Sequence, residues 1–179
     1  MCRLICQRLG LCALFLCCLN VSAAQETGDV PSFIKPEHGQ VVRGFLKTKP
    51  YLRVAIYADA ENKQTLEFLN EGYGENKWPY YAVGDFNNDG REDFAVAFVN
   101  TRRPKDFAVV IFNGPFRGRR SVRPAYYNER EFGADAFLFA STAERPHALV
   151  VGVSGGDMTT MLKPRRRGRG YYLWRGMTQ

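Results

Sequence analysis

The sequence from 78 to 99 reads WPYYAVGDFNNDGREDFAVAFV, and this stretch decides the fold. Apolar and aromatic runs at 78–83 and 94–99 flank a polar loop at 85–93. Both runs are rich in the β-branched and aromatic residues that favour strands, and the loop contains the glycine that a turn needs. The stretch therefore predicts two strands joined by a short loop, as in a β protein.

Further runs of the same kind occur on both sides of this stretch. They are Tyr51 to Tyr57, Phe107 to Phe112, Phe137 to Ala140, Ala148 to Val153 and Tyr171 to Trp174. The segments between them, at 113–115, 154–157 and 164–170, are rich in glycine and proline, which supply the backbone conformations of turns. The pattern predicts a mainly β fold in which antiparallel strands follow one another as a meander.

Two segments do not have the strand pattern. Residues 25–39 are turn-rich and are predicted to form an irregular lead-in to a single β domain at 40–179. The segment from Ala60 to Asn70 has Leu66 and Leu69 at helical spacing. It is predicted either as one short helix or as a continuation of the meander.

Phenylalanines at positions 45, 86 and 139 each precede a polar loop and an apolar run, which gives a weak internal repeat. Their spacings bracket the period of about 40 to 50 residues that is typical of a propeller blade. Three units are too few to close a propeller, which needs at least about four blades. We therefore expect three propeller-blade-like units in an open sheet or a sandwich.

The first 24 residues have the composition of a secretory signal peptide. Arg3 and Arg8 precede an apolar run at 9–19, and small residues follow it. Cleavage is predicted near Ala23 or Ala24, with export to the periplasm or the cell exterior. No transmembrane segment is expected in the mature chain, because the apolar run belongs to the leader and is too short to span a bilayer comfortably.

All five cysteines lie in this predicted leader: Cys2, Cys6, Cys12, Cys17 and Cys18. A lipid anchor at one of the last two is the alternative to simple cleavage, but it is disfavoured because Leu16 and Cys17 stand where a small residue is needed. The predicted mature chain has no disulfide. Its roughly 155 residues suffice for a hydrophobic core, to which a bound metal can add stability.

The polar loop at 85–93 reads DFNNDGRED and has the spacing of a calcium-binding loop. Asp85, Asn87, Asp89 and Asp93 place side-chain oxygens at its first, third, fifth and ninth positions. Calcium takes six to eight oxygen ligands, and the backbone carbonyl of Arg91 offers another at the seventh position. The loop is therefore predicted to bind one calcium ion, the alternative being an aspartate-rich turn without metal.

An EF-hand is disfavoured, because its twelfth loop position requires a glutamate and is Val96 here. The order of strand, DxNxDGxxD loop and short apolar strand resembles the extracellular FG-GAP or VCBS repeats. The resemblance implies an extracellular β module whose calcium is held by Asp85, Asn87, Asp89, Asp93 and the Arg91 carbonyl. The other two copies of the repeat are degenerate at 46–52 and 141–147, so that one metal loop is expected.

The chain is basic, with a formal net charge of +7, and its densest positive segment is at 163–169. The cations of this segment are Lys163, Arg165, Arg166, Arg167 and Arg169. Together with the nearby aromatic residues at 171–174, such a segment suits an anionic polymer or lipid headgroups. No cognate nucleic acid is expected for an exported protein, and the alternative is a solvated hairpin loop.

The two histidines, His38 and His147, have no cysteine or second histidine at ligand spacing, so the sequence does not predict zinc. Three hypotheses of function follow. The first is an exported, non-catalytic calcium module that contacts an unknown protein or cell-surface component. The second is a cationic protein that binds surfaces through residues 163–169. The third is a hydrolase whose site the sequence does not identify.

Overall fold

The computed structural model describes residues 30–64, 66–67, 79–118, 122–141, 147–153, 158–165 and 170–177. Over these residues the chain forms one long helix, a 3-10 turn and nine strands. They are α1 (Pro36–Thr48), β1 (Leu52–Val54), the 3-10 turn Tyr57–Asp59, β2 (Tyr81–Gly84), β3 (Asp93–Asn100), β4 (Arg103–Phe112), β5 (Tyr126–Gly133), β6 (Ala136–Ser141), β7 (Ala148–Val153), β8 (Met158–Pro164) and β9 (Tyr171–Met177). The predicted mainly β class is confirmed, and the one long α-helix of the described residues is α1.

The strands form two antiparallel sheets, and neither closes into a barrel. In the first sheet β3, β4 and β5 lie in order, while β1 and β2 both pair with β3, at opposite ends of that strand. The second sheet is a plain meander of β6, β7, β8 and β9. The strands thus group into two sheets and not into the three units that the phenylalanine spacing predicts. The sequence pattern did not identify β5 and β8 as strands.

The helix and the two sheets form three layers around β3. Phe94, Val96 and Phe98 of β3 pack with α1, whereas Ala95, Ala97 and Val99 pack with the second sheet. This alternation follows from the two-residue period of a strand. Because both faces are covered, every residue of β3 is buried, which accounts for its almost uninterrupted apolar sequence.

The prediction of an irregular lead-in at 25–39 was wrong for Pro36–Gly39, which begin α1. The buried face of the helix is His38, Gly39, Val41, Val42, Phe45 and Leu46, and its larger side chains recur at helical spacing. Pro36 suits the first turn, where no backbone donor is needed, and Glu37 complements the helix dipole. The apolar stripe of the helix lies mostly after Gly39, so the segment 31–39 shows no strong period by itself.

The second predicted helix, at 60–70, lies partly outside the described residues. Lys63, Gln64, Leu66 and Glu67 have helical backbone, and Leu66 is buried in the core between the sheets. The predicted signal peptide at 1–24 also lies outside the described residues. No helix among the described residues is long and apolar enough to cross a membrane.

Candidate calcium loop and adjoining cationic cleft

The predicted calcium loop is the hairpin connection between β2 and β3. The two strands pair from Tyr81 opposite Val96 to Gly84 opposite Asp93, so that the paired strands hold both ends of the loop. Asn88 and Gly90 have φ angles of 60° and 78°, in the left-handed region that asparagine and glycine tolerate best. These two positions turn the chain back on itself within a few residues.

The side-chain oxygens at the first, third and fifth positions point into the loop and accept its backbone amides. Asp85 accepts the amides of Asp89 and Gly90, at 3.1 and 3.0 Å. Asn87 accepts the amide of Asp89 at 2.9 Å, and Asp89 accepts that of Arg91 at 2.9 Å. The loop is therefore wrapped around the carboxylate of its first residue.

Asp93, at the ninth position, is fully buried and is held by three backbone amides. One carboxylate oxygen accepts Phe86 at 3.0 Å and Asn87 at 3.2 Å, and the other accepts Gly114 at 3.0 Å. Burial raises the pKa of Asp93 to about 6, although the amide hydrogen bonds act in the opposite direction. This residue anchors the loop to the segment that follows β4.

The donor set suits calcium, because all its members are oxygen atoms of carboxylates, an amide and a backbone carbonyl. The three carboxylates of Asp85, Asp89 and Asp93 do not all lie within 4.8 Å of one another; the cluster of this kind among the described residues is elsewhere. The negative charges of the three carboxylates repel one another when no cation lies between them. Each carboxylate oxygen that accepts a backbone amide still has a lone pair with which it can bind an ion. Calcium binding thus requires these carboxylates to draw together.

The loop forms part of a cleft of about 830 Å³, a size typical of small-molecule sites. Asn87, Asp89 and Arg91 line it from the loop, and the same cleft is lined by Arg123 and Arg165. Among the described residues, the lining therefore contains three arginines and one carboxylate. The structure brings together the predicted calcium loop and part of the predicted basic segment, which sequence reasoning treated as separate features.

The floor of this cleft includes Tyr171, whose side chain is buried while those of its neighbours on β9 are exposed. Its hydroxyl donates to Asn113 at 2.8 Å, and its carbonyl accepts the side chain of Arg165 at 3.3 Å. The hydrogen bond from Arg165 fixes the guanidinium beside the cleft. Neither Tyr171 nor Asn113 had a predicted role at the loop, since both lie far from it in sequence.

The two described cations of the basic segment, Lys163 and Arg165, lie on different surfaces. Lys163 is next to the buried Leu162 on β8, so it faces away from the core, and its ammonium lies 4.4 Å from the ring of Trp174. This is a cation–π contact on the outer face of the second sheet. Arg165 instead lines the cleft. Arg166, Arg167 and Arg169 lie outside the described residues.

His147 is a further neighbour of the loop that sequence reasoning missed. Its backbone amide donates to the carbonyl of Asp85 at 3.1 Å, and its ring nitrogen Nδ1 accepts the amide of Asp85 at 3.2 Å. A smaller cleft of about 380 Å³ is lined by His147, Asp85, Arg91 and Glu92, among others. These two hydrogen bonds connect Asp85, the first residue of the loop, to the segment just before β7 of the second sheet.

No protein-family model, no curated protein and no solved structure matches this chain. The resemblance to FG-GAP or VCBS repeats therefore depends on the sequence of the loop and its flanking strands alone.

Proposed function

We propose that this protein is an exported, non-catalytic β module that binds one calcium ion in the loop 85–93. The ligands are the side chains of Asp85, Asn87, Asp89 and Asp93, with the carbonyl of Arg91. The observation that carries the proposal is the inward orientation of the oxygens at positions one, three and five, each accepting backbone amides of the loop. Export rests on the predicted leader, cleaved near Ala23 or Ala24.

The ion would serve the structure of the loop. The three aspartates of the loop repel one another, and a divalent cation between them removes that repulsion. Extracellular calcium sites bind at about 0.1 to 1 mM. At ten times the dissociation constant, binding stabilises the fold by about 1.4 kcal/mol. Because Asn87, Asp89 and Arg91 also line the large cleft, the ion would fix that wall for a protein or cell-surface partner.

Thermal unfolding tests the proposal, with the mature chain, residues 25–179, measured in millimolar calcium and in chelator. We expect calcium to raise the melting temperature of the wild type and of Asp106→Ala, a control that removes a carboxylate of β4 paired with Arg103. We expect no rise in Asp89→Ala. An equal rise in Asp89→Ala, or none in the wild type, would contradict a calcium site in this loop.

A second candidate function is the binding of an anionic ligand in the large cleft. The observation that favours it is the lining of the cleft by Arg91, Arg123 and Arg165 against the single carboxylate of Asp89. Guanidinium groups hold carboxylate, sulfate and phosphate groups through paired hydrogen bonds. An anionic polymer or lipid headgroups on a cell surface are partners of this chemistry.

Retention on immobilised heparin tests this candidate. We expect the double variant Arg123→Gln and Arg165→Gln to elute at clearly lower salt than the wild type. The matched control is Arg43→Gln, which removes one exposed arginine from α1. If a single Arg165→Gln change and the Arg43→Gln control lower the eluting salt equally, retention reflects net charge, and the cleft is not the binding site.

A further inference from the structure

A second cluster of ligand-type side chains lies where the first turn of α1 meets the end of the calcium loop. It consists of Glu37 and His38, in the first turn of α1, and Glu92, just before β3. One ligand atom from each residue lies within 4.8 Å of the other two. The two glutamates are exposed, whereas His38 is fully buried.

The imidazole of His38 is held in one position by its neighbours. Its ring stacks on Phe94 with 4.1 Å between ring centres, and Phe116 meets it edge-on at 4.8 Å. Nδ1 lies 2.6 Å from the hydroxyl of Tyr81, which also accepts the amide of Lys35. With Nδ1 donating its proton to Tyr81, the other ring nitrogen carries a lone pair directed at the cluster.

That other nitrogen, Nε2, is buried and has no hydrogen-bond partner. Glu92 Oε1 lies 3.3 Å away, but the two atoms are not aligned as donor and acceptor. Two ligand atoms on a tetrahedral zinc ion, with bonds of about 2.0 to 2.1 Å, are about 3.3 to 3.4 Å apart. The 3.3 Å separation observed here fits two atoms that share a metal.

A buried polar atom without a partner is costly and calls for an explanation. No hydrogen bond from the described residues supplies one. A neutral imidazole with its second nitrogen bonded to a hydroxyl is the form in which histidine binds zinc. The two carboxylates supply the charge that balances a divalent ion.

Lys35 occupies part of the space that such an ion needs. Its ammonium bonds both oxygens of Glu92, at 2.8 and 2.7 Å. The side chain is 46% exposed, so it can move to solvent when a cation of higher charge arrives. Lys35 thus competes with a metal for Glu92.

We propose that Glu37, His38 and Glu92 form a zinc-class divalent metal site, in which Lys35 neutralises Glu92 until the metal displaces it. The fourth position is open to water, as in three-ligand zinc sites. The ion would join the start of α1 to the start of β3. This proposal does not depend on calcium binding by the loop, because the two sites share no ligand.

Zinc titration by calorimetry tests the proposal, with metal-free protein, residues 25–179, in millimolar calcium so that the loop is not available to zinc. We expect one zinc ion per chain. Glu92→Gln, at an exposed position, should weaken zinc binding at least about tenfold, whereas Lys35→Gln should strengthen it about tenfold because a competing cation is removed. The two changes are expected to move affinity in opposite directions.

The two histidines provide a matched pair. His38→Gln should abolish zinc binding, and His147→Gln should leave it unchanged, with folding of each variant checked by circular dichroism. Cobalt bound in place of zinc should show the visible absorption of a site with nitrogen and oxygen ligands, and that signal should vanish in His38→Gln. Absence of zinc binding in both the wild type and Lys35→Gln, or loss only in His147→Gln, would overturn the proposal.

Discussion

Glu92 and Asp93 are consecutive, yet they contribute to two different charged clusters. Glu92 is partly exposed and bonds Lys35 beside the buried ring of His38. Asp93 is buried and accepts three backbone amides of the loop and of Gly114. In the first cluster the buried side chain is His38, whose Nε2 has no hydrogen-bond partner. In the second cluster it is Asp93, whose two carboxylate oxygens both accept hydrogen bonds.

The difference shows how one chain reversal positions two candidate metal sites. Around Asp93 most hydrogen bonds come from the backbone of the loop itself, and Gly114 and His147 add contacts from distant segments. Around His38 the contacts come from α1, β2 and β3, so the cluster exists only when the helix is packed on the sheet. Two of the three residues of the zinc cluster belong to the helix, whereas none of the predicted calcium ligands does.

The largest expected effect is on stability without metal. Asp93→Ala leaves the amides of Phe86, Asn87 and Gly114 without an acceptor, and we expect a loss of about 3 kcal/mol in the free energy of unfolding. Glu92→Ala breaks a partly exposed ion pair and should cost less than about 1 kcal/mol. Urea unfolding in chelator at neutral pH measures the loss of free energy of unfolding in each variant. Equal losses would contradict the larger contribution to stability that we assign to the buried carboxylate.

The next largest effect is on the pH dependence of folding stability, to which Asp93 and His38 contribute with opposite signs. The folded pKa of Asp93 is raised to about 6, so its contribution to stability grows as the pH falls from about 6 towards 4. The folded pKa of His38 is lowered to about 4, so its contribution shrinks as the pH falls from about 6.5 to 4. Each slope is at most about 1.4 kcal/mol per pH unit.

These slopes are separated by difference measurements in chelator. The stability of the wild type relative to Asp93→Asn should increase on acidification, and that relative to His38→Gln should decrease. Slopes of the same sign for both variants would contradict the opposite pKa shifts that burial gives to this acid and this base.

The smallest effect concerns one glycine in each region. Gly90, in the loop, has a positive φ, so Gly90→Ala should destabilise the fold by about 1 kcal/mol. Gly39, beside His38, is helical, and a methyl group there meets Val30 and Arg43 only at ordinary contact distances. Gly39→Ala should therefore stabilise by about 0.5 to 1 kcal/mol. Thermal unfolding of the two variants should give shifts of opposite sign.

Sequence reasoning identified the features that depend on local pattern. The apolar runs predicted the β class, and the order of strand, polar loop and strand at 78–99 matches the β2–β3 hairpin. It failed where the pattern was mixed. Charged residues interrupt the apolar pattern of Tyr126–Gly133. The buried stripe of α1 begins with His38, a polar residue that is buried because its ring stacks on Phe94.

The two sites differ in the same way. The oxygens of the calcium loop lie within nine residues, so their spacing is visible in the sequence. The ligands of the zinc cluster come from α1 and from the segment before β3, which meet only through tertiary packing. The same is true of the large cleft, where Arg91, Arg123 and Arg165 converge from three separate segments.

The most direct test of this account is a metal-binding comparison of two variants in the mature chain. Calcium and zinc affinities are measured for the wild type, Asp89→Ala and His38→Gln. The account predicts that Asp89→Ala loses calcium and keeps zinc, whereas His38→Gln loses zinc and keeps calcium. Loss of both metals in either folded variant, or retention of both metals in both variants, would contradict two separate sites built on Glu92 and Asp93.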